Sequence, residues 1–142
     1  MKIEKIIEIK SSASRIYEVV TDEDVVALWN PSVDSVSQPS EDKYLLKTSV
    51  GELNIVSWET VENERAIWTL DMSNINQIGY ILKSKGDLVE VTLCIGFDNK
   101  KLKKGYLKVG ELVLNGLKRY VEFLEEGGDP KEYDKRAVLV SP

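Results

Sequence analysis

The chain has 142 residues and a formal charge of -5 at pH 7, enough length for one domain with a sizeable core. Its acidic balance argues against a nucleic-acid partner, which normally meets a basic surface. No apolar run approaches the ~18 to 20 residues of a membrane span, and Met1-Lys2-Ile3-Glu4-Lys5 has no signal-peptide core. The single cysteine, Cys94, offers no internal disulfide and fits a reducing compartment. A cytoplasmic protein without stable membrane insertion is expected. There is no histidine, which removes the Ser-His and Cys-His nucleophile pairs and the commonest zinc ligand. Any acid-base chemistry falls to a carboxylate, a lysine or a tyrosine with a shifted pKa.

The first element is a strand, Lys2 to Lys10, rich in isoleucine with charges interleaved. Ser11 or Ser12 is placed to cap a following helix, because a serine oxygen accepts from the free amides of the first turn. Ile16, Val19 and Val20 recur at helical spacing. Thr21-Asp22-Glu23-Asp24 resembles a capping box that opens a second short helix, with Val25, Val26, Leu28 and Trp29 as its apolar residues. Pro31 ends it, since the residue before proline is pushed out of the helical region.

From Val33 to Asp98 the apolar period changes to two. Tyr44, Leu46, Thr48 and Val50 alternate with Leu45, Lys47 and Ser49, and Gly51-Glu52 makes a turn. Leu53 to Val61 follows, then a turn at Glu62-Asn63-Glu64. Ala66, Trp68, Leu70 and Met72 share one face, opposite Ile67, Thr69 and Asp71. Ile78, Tyr80 and Leu82 share another, and Gly86-Asp87 turns the chain again. Val89, Val91, Leu93, Ile95 and Phe97 form the cleanest apolar face, opposite Cys94. This spacing predicts about six antiparallel strands joined by short turns.

The last pattern, Leu102 to Glu126, is a long helix stopped by Gly127-Gly128-Asp129-Pro130. Its polar residues fall in one narrow sector. The remaining apolar arc is about twice the ~100° that a helix lying on one sheet needs. Such a helix is gripped on several sides or borders a cavity. Beyond it, Ala137-Val138-Leu139-Val140 is an apolar island in the tail.

Residues Ile7-Glu8-Ile9, Ser12 to Asp22, and Leu28-Trp29-Asn30-Pro31-Ser32-Val33 resemble the opening strand, the "P-A-x-x-V-F-x-x-(L/V)-x-D" helix and the "W-x-P-x-V" ending of the START/Bet v 1-like superfamily. Gly51, Trp58 and the Val61 to Arg65 turn resemble its hairpin. Ser12 replaces the pattern's proline. The resemblance spans residues 2 to about 126 and extends to the polyketide cyclase-like and Hsp90-ATPase-activator-like members. It implies an α+β helix-grip fold, a curved antiparallel sheet of about seven strands in the order β-α-α-β6-α around a long C-terminal helix. Residues 1–126 would form that single domain and residues 127–142 a tail. Members range from lipid carriers to cyclases, so the resemblance speaks to fold more than to function.

A cavity between sheet and long helix is the expected site for a small hydrophobic or amphipathic molecule. Its candidate lining is Thr48, Trp58, Trp68, Leu70, Tyr80, Tyr106, Val113, Leu117 and Tyr120, since Trp and Tyr combine apolar area with a polar handle. Ordinary core packing is the competing account of each aromatic. Trp29 is expected to be a structural plug and Asp71 to face solvent. No pair of acids is spaced for general acid-base work, and no catalytic residue, metal ligand or cofactor is assigned. Lys100, Lys101, Lys103, Lys104 and Lys108 cluster where they oppose the helix dipole, which suits either an anionic headgroup or a solvated face. Gly105 and Gly116 lie on one side of the helix and suit close approach of a strand or of a second subunit in a homodimer. The alternatives to a carrier are a cyclase- or dehydratase-type enzyme using the same cavity, and a protein-interaction or maturation module.

Overall fold

The computed structural model describes residues 1–136. In chain order the elements are β1 (Lys2–Ile9), α1 (Ala13–Thr21), α2 (Val26–Trp29), β2 (Val33–Ser40), β3 (Lys43–Thr48), β4 (Gly51–Val61), β5 (Arg65–Asp71), β6 (Ile75–Lys85), β7 (Leu88–Phe97) and α3 (Lys103–Glu125). All seven strands form one antiparallel sheet in the order β1-β7-β6-β5-β4-β3-β2. Consecutive hairpins build six of them, and β1 pairs with β7, so the first and last strands are neighbours. The helix-grip arrangement is the one the element order implies. No helix among the described residues is long and apolar enough to cross a membrane.

Alternation of side chains across a strand sends one set of residues to the concave face. In β7, Val89, Val91, Leu93, Ile95 and Phe97 are buried while their neighbours are half-buried. The helix α3 lies chiefly along β1 and β7. Gly110 permits this approach: a Cβ there would touch Lys5, Leu93 and Ile3 at 3.6 to 3.9 Å. Gly116 meets the elbow after α2, where a Cβ would stand 2.6 Å from Pro31 Cδ. Its partner is therefore within the chain, whereas Gly105 has nothing within 4 Å.

One local expectation holds and others shift. Ser12 is the α1 cap, its side chain accepting from Arg15 N–H at 3.1 Å. Thr21 does not open α2: it closes α1, with its hydroxyl donating to Tyr17 O at 2.7 Å. Asp22 turns the connector instead, accepting from Asp24 N–H, and α2 starts at Val26 without a side-chain cap. The β3–β4 turn falls at Ser49-Val50 rather than Gly51-Glu52, because the Thr48 hydroxyl accepts from Val50 N–H and donates to Gly51 O. Met72 leaves the face shared by Trp68 and Leu70; it sits past the end of β5 at φ +54, fully in solvent.

The helix ends at Gly127, whose φ of +84 lets the amides of Gly127 and Gly128 bond back to Leu124 O and Phe123 O. Residues 127–136, set apart in the sequence as a tail, pack back on the domain. Tyr133 is buried with its ring 4.9 Å from that of Tyr120 and 5.2 Å from that of Phe123. Lys135 Nζ donates to the carbonyls of Ala27, Asn30 and Val33, and burial pulls its pKa below the usual lysine range. The Ala137–Val140 island lies outside the described residues.

Candidate functional site

Because α3 covers β1 and β7, the concave face from β3 to β6 is roofed by other elements. The α1–α2 pair and the edge of α3 close over it, and they do not fill the space. A cavity of about 410 Å³ remains, within the range of small-molecule sites. Sealed and dry, a void of that size would cost on the order of 10 kcal/mol, as much as a whole domain's stability. The cavity instead opens to solvent: Asp22, Glu23, Trp58 and Thr60 line it and are also exposed.

Register explains the aromatic wall. Trp58 of β4 stands opposite Trp68 of β5, and Trp68 opposite Ile78 of β6. A bulge between Ile55 and Ser57 brings Trp58 beside Tyr44 of β3, ring centroids 5.4 Å apart and edge-on. Trp68 meets the Tyr80 ring edge-on at 5.9 Å. Such edge-to-face pairs hold each ring in place. Leu46, Leu53, Ile55, Ile75, Leu93 and Ile95 supply further apolar wall. From α3 only Val109 and Val113 reach it among the described residues.

Thr48, Trp58, Trp68, Tyr80 and Val113 thus come together on the cavity wall, with Tyr44 and Trp29. Leu70, Tyr106, Leu117 and Tyr120 are buried but do not line it. Tyr106 packs edge-on against Phe97 at 5.2 Å, and Tyr120 packs against Tyr133. Trp29 is fully buried, with its Nε1 lacking a partner among the described residues. Asp71 is exposed, and the lysine cluster from Lys100 to Lys108 stands in solvent without touching the cavity.

The polar side chains of the wall divide into occupied and free. The Thr48 hydroxyl is committed to its turn. Ser32 Oγ and its amide both donate to Asn30 Oδ1, at 2.8 and 2.9 Å. Tyr44 Oη donates to Glu23 Oε1 at 3.0 Å across the mouth; burial first, then this carboxylate, raises the Tyr44 pKa. Tyr80 is 5% exposed and makes no hydrogen bond among the described residues. Burial pushes its phenol well above the ordinary range, so it remains a proton donor at neutral pH. The acids Asp22 and Glu23 were absent from the sequence-derived lining. Their signal was the run of three carboxylates, Asp22-Glu23-Asp24, in the connector between the two short helices.

No protein-family model matches the sequence, and no curated protein matches it. Solved structures do match the fold. A START superfamily protein from Mycobacterium smegmatis superimposes with a TM-score of 0.66 at 18% identity, covering 87% of this chain and 98% of the other. The Aha1 dimer from Colwellia psychrerythraea gives 0.71 at 16%, covering 86% and 96%. The aromatase/cyclase di-domain StfQ of the steffimycin biosynthetic pathway gives 0.66 at 8%, covering 88% of this chain and 51% of that one. The fold is accordingly the helix-grip fold of START/Bet v 1-like proteins.

Proposed function

We propose that this protein binds a small hydrophobic or amphipathic molecule in the cavity between the sheet and α3. The observation that carries the proposal is an open space of about 410 Å³ walled by Trp58, Trp68, Tyr44 and aliphatic side chains. Thr48, Trp58, Trp68, Tyr80 and Val113 are the contacts; Leu70, Tyr106, Leu117 and Tyr120 belong to the buried core and not to the contact surface. Trp68→Ala is expected to weaken uptake of the neutral fluorophore N-phenyl-1-naphthylamine by about tenfold or more, with cooperative unfolding retained. Native mass spectrometry and fluorophore titrations that find the cavity empty with every lipid-like compound tried would refute it.

A cyclase- or dehydratase-type enzyme is the second reading, favoured by one group. Tyr80 is a protonated phenol deep in an apolar wall, suited to donate to a substrate oxygen. Turnover lost in Tyr80→Phe with binding retained would select it. Self-association and cytoplasmic residence belong to the same proposal. The Colwellia relative is a dimer, Ile6 and Ile81 stand exposed on either side of Thr92 on the convex face, and the lone thiol of Cys94 is unpaired. Analytical ultracentrifugation that finds only monomer would remove the dimer.

A further inference from the structure

The cavity's charge is one-sided. Among the described residues its ionisable side chains are Asp22, Glu23 and the phenols of Tyr17, Tyr44 and Tyr80, and no lysine or arginine lines it. Asp22 and Glu23 stand at the mouth directly after α1, whose last turn carries no basic residue. The carbonyls at that helix end add partial negative charge to the same place. The present partner of Glu23 there is a neutral donor, the Tyr44 hydroxyl.

The depth of the cavity adds an independent feature. Trp29 Nε1 and Tyr133 Oη are the partnerless side-chain polar atoms that protein seals off among the described residues. Tyr80 Oη is not one of them, although the residue is 95% buried by its 5% exposure and has no hydrogen-bond partner among the described residues. The residue is one of those that line the cavity. A ligand oxygen in the cavity would accept from this donor in place of water.

We propose that the cavity selects a cationic amphiphile: an apolar body against the tryptophans, a protonated amine beside Asp22 and Glu23, and an oxygen acceptor toward Tyr80. This rests on the ligand-binding reading above and narrows it. An ammonium replaces the neutral Tyr44 donor on Glu23 with a charged one, which makes the stronger hydrogen bond. A carboxylate or phosphate of the same length would bring its charge against two carboxylates with no cation on the wall to offset it.

Isothermal titration calorimetry at pH 7 and low salt with octylamine, octanol, octanoate and methyl 8-aminooctanoate separates the possibilities. Octylamine is expected to bind at least about tenfold tighter than octanoate, and the Asp22→Asn/Glu23→Gln double variant to bring the two within about threefold. The amino ester is expected to bind tighter than octylamine, and in Tyr80→Phe the difference between the two compounds is expected to fall to within about threefold. Octanoate binding as tightly as octylamine, with octanol also binding, overturns the cationic assignment and leaves the cavity reading standing. An amino ester with no gain over octylamine overturns the role of Tyr80. Failure of every compound, octanol included, overturns the cavity reading itself.

Discussion

Tyr80 concentrates the residue-scale argument. Its phenol is buried, so its folded-state pKa lies above the unfolded value of 10.0. A raised folded pKa means stability that is fully present below pH 10 and is lost as pH rises from there toward the folded value. Urea denaturation at pH 8 and above pH 10 should therefore show a smaller alkaline loss in Tyr80→Phe than in the wild type. Tyr106, Tyr120 and Tyr133 are also raised by burial, so the loss is reduced and not abolished. An unchanged alkaline slope would place the hydroxyl in water. The face shared by Ile78, Tyr80 and Leu82 was legible from alternation alone. That Tyr80 is left without a partner among the described residues was not, because hydrogen bonding of a side chain depends on atoms from distant strands.

At the scale of elements, α3 shows what periodicity conveys and what it omits. Its excess apolar width is divided among β1 and β7, the α2 elbow, the tail and, through Val109 and Val113, the cavity. Two glycines of this helix make opposite predictions. Gly105→Ala meets nothing within 4 Å and should stabilise by about 0.5–1 kcal/mol through helix propensity. Gly116→Ala drives a Cβ to 2.6 Å from Pro31 Cδ and 3.2 Å from Trp29 O; the strain should exceed that gain and destabilise by about 1–3 kcal/mol. Guanidinium melts of the two variants read the contrast directly, and equal shifts would refute the close approach at the elbow. The aromatic stripe of the helix was read in sequence as a cavity wall. Tyr106 and Tyr120 instead find Phe97 and Tyr133, partners that no local period identifies.

For the whole molecule, the tail and the cavity are joined through one wall. Lys135 holds the carbonyls of Ala27, Asn30 and Val33, and Asn30, Ser32 and Val33 line the cavity. Tyr133→Ala removes a buried ring and should cost about 2–4 kcal/mol, visible as a lower thermal midpoint. Lys135→Met keeps the stem but takes the ammonium away from the Ala27 and Val33 carbonyls, while Asn30 O keeps the Val33 amide, so it should loosen the elbow and weaken ligand uptake along with stability. Hydrogen exchange at residues 27–33 measures that loosening; protection equal to wild type would separate the tail from the cavity. The boundary near residue 126 thus marks the end of a helix, and the packed structure continues past it through Tyr133 and Lys135.

By itself the sequence determined the elements and their order. Strand period, helix period, Pro31, Asn63, Gly86 and Gly127 are local signals, and backbone sterics translate them almost directly into strands, helices and turns. The resemblance in residues 7–33 pointed to the helix-grip fold for the same reason, since its motif marks a strand, a cap and an elbow. Only the tertiary structure decided which buried residues face empty space and which face each other. Trp68 and Tyr106 carry the same apolar signature, yet one borders the cavity and the other packs on Phe97. The difference arises because α3 settles over β1 and β7 and leaves β3 to β6 to the small helices, an outcome of packing summed over the whole chain.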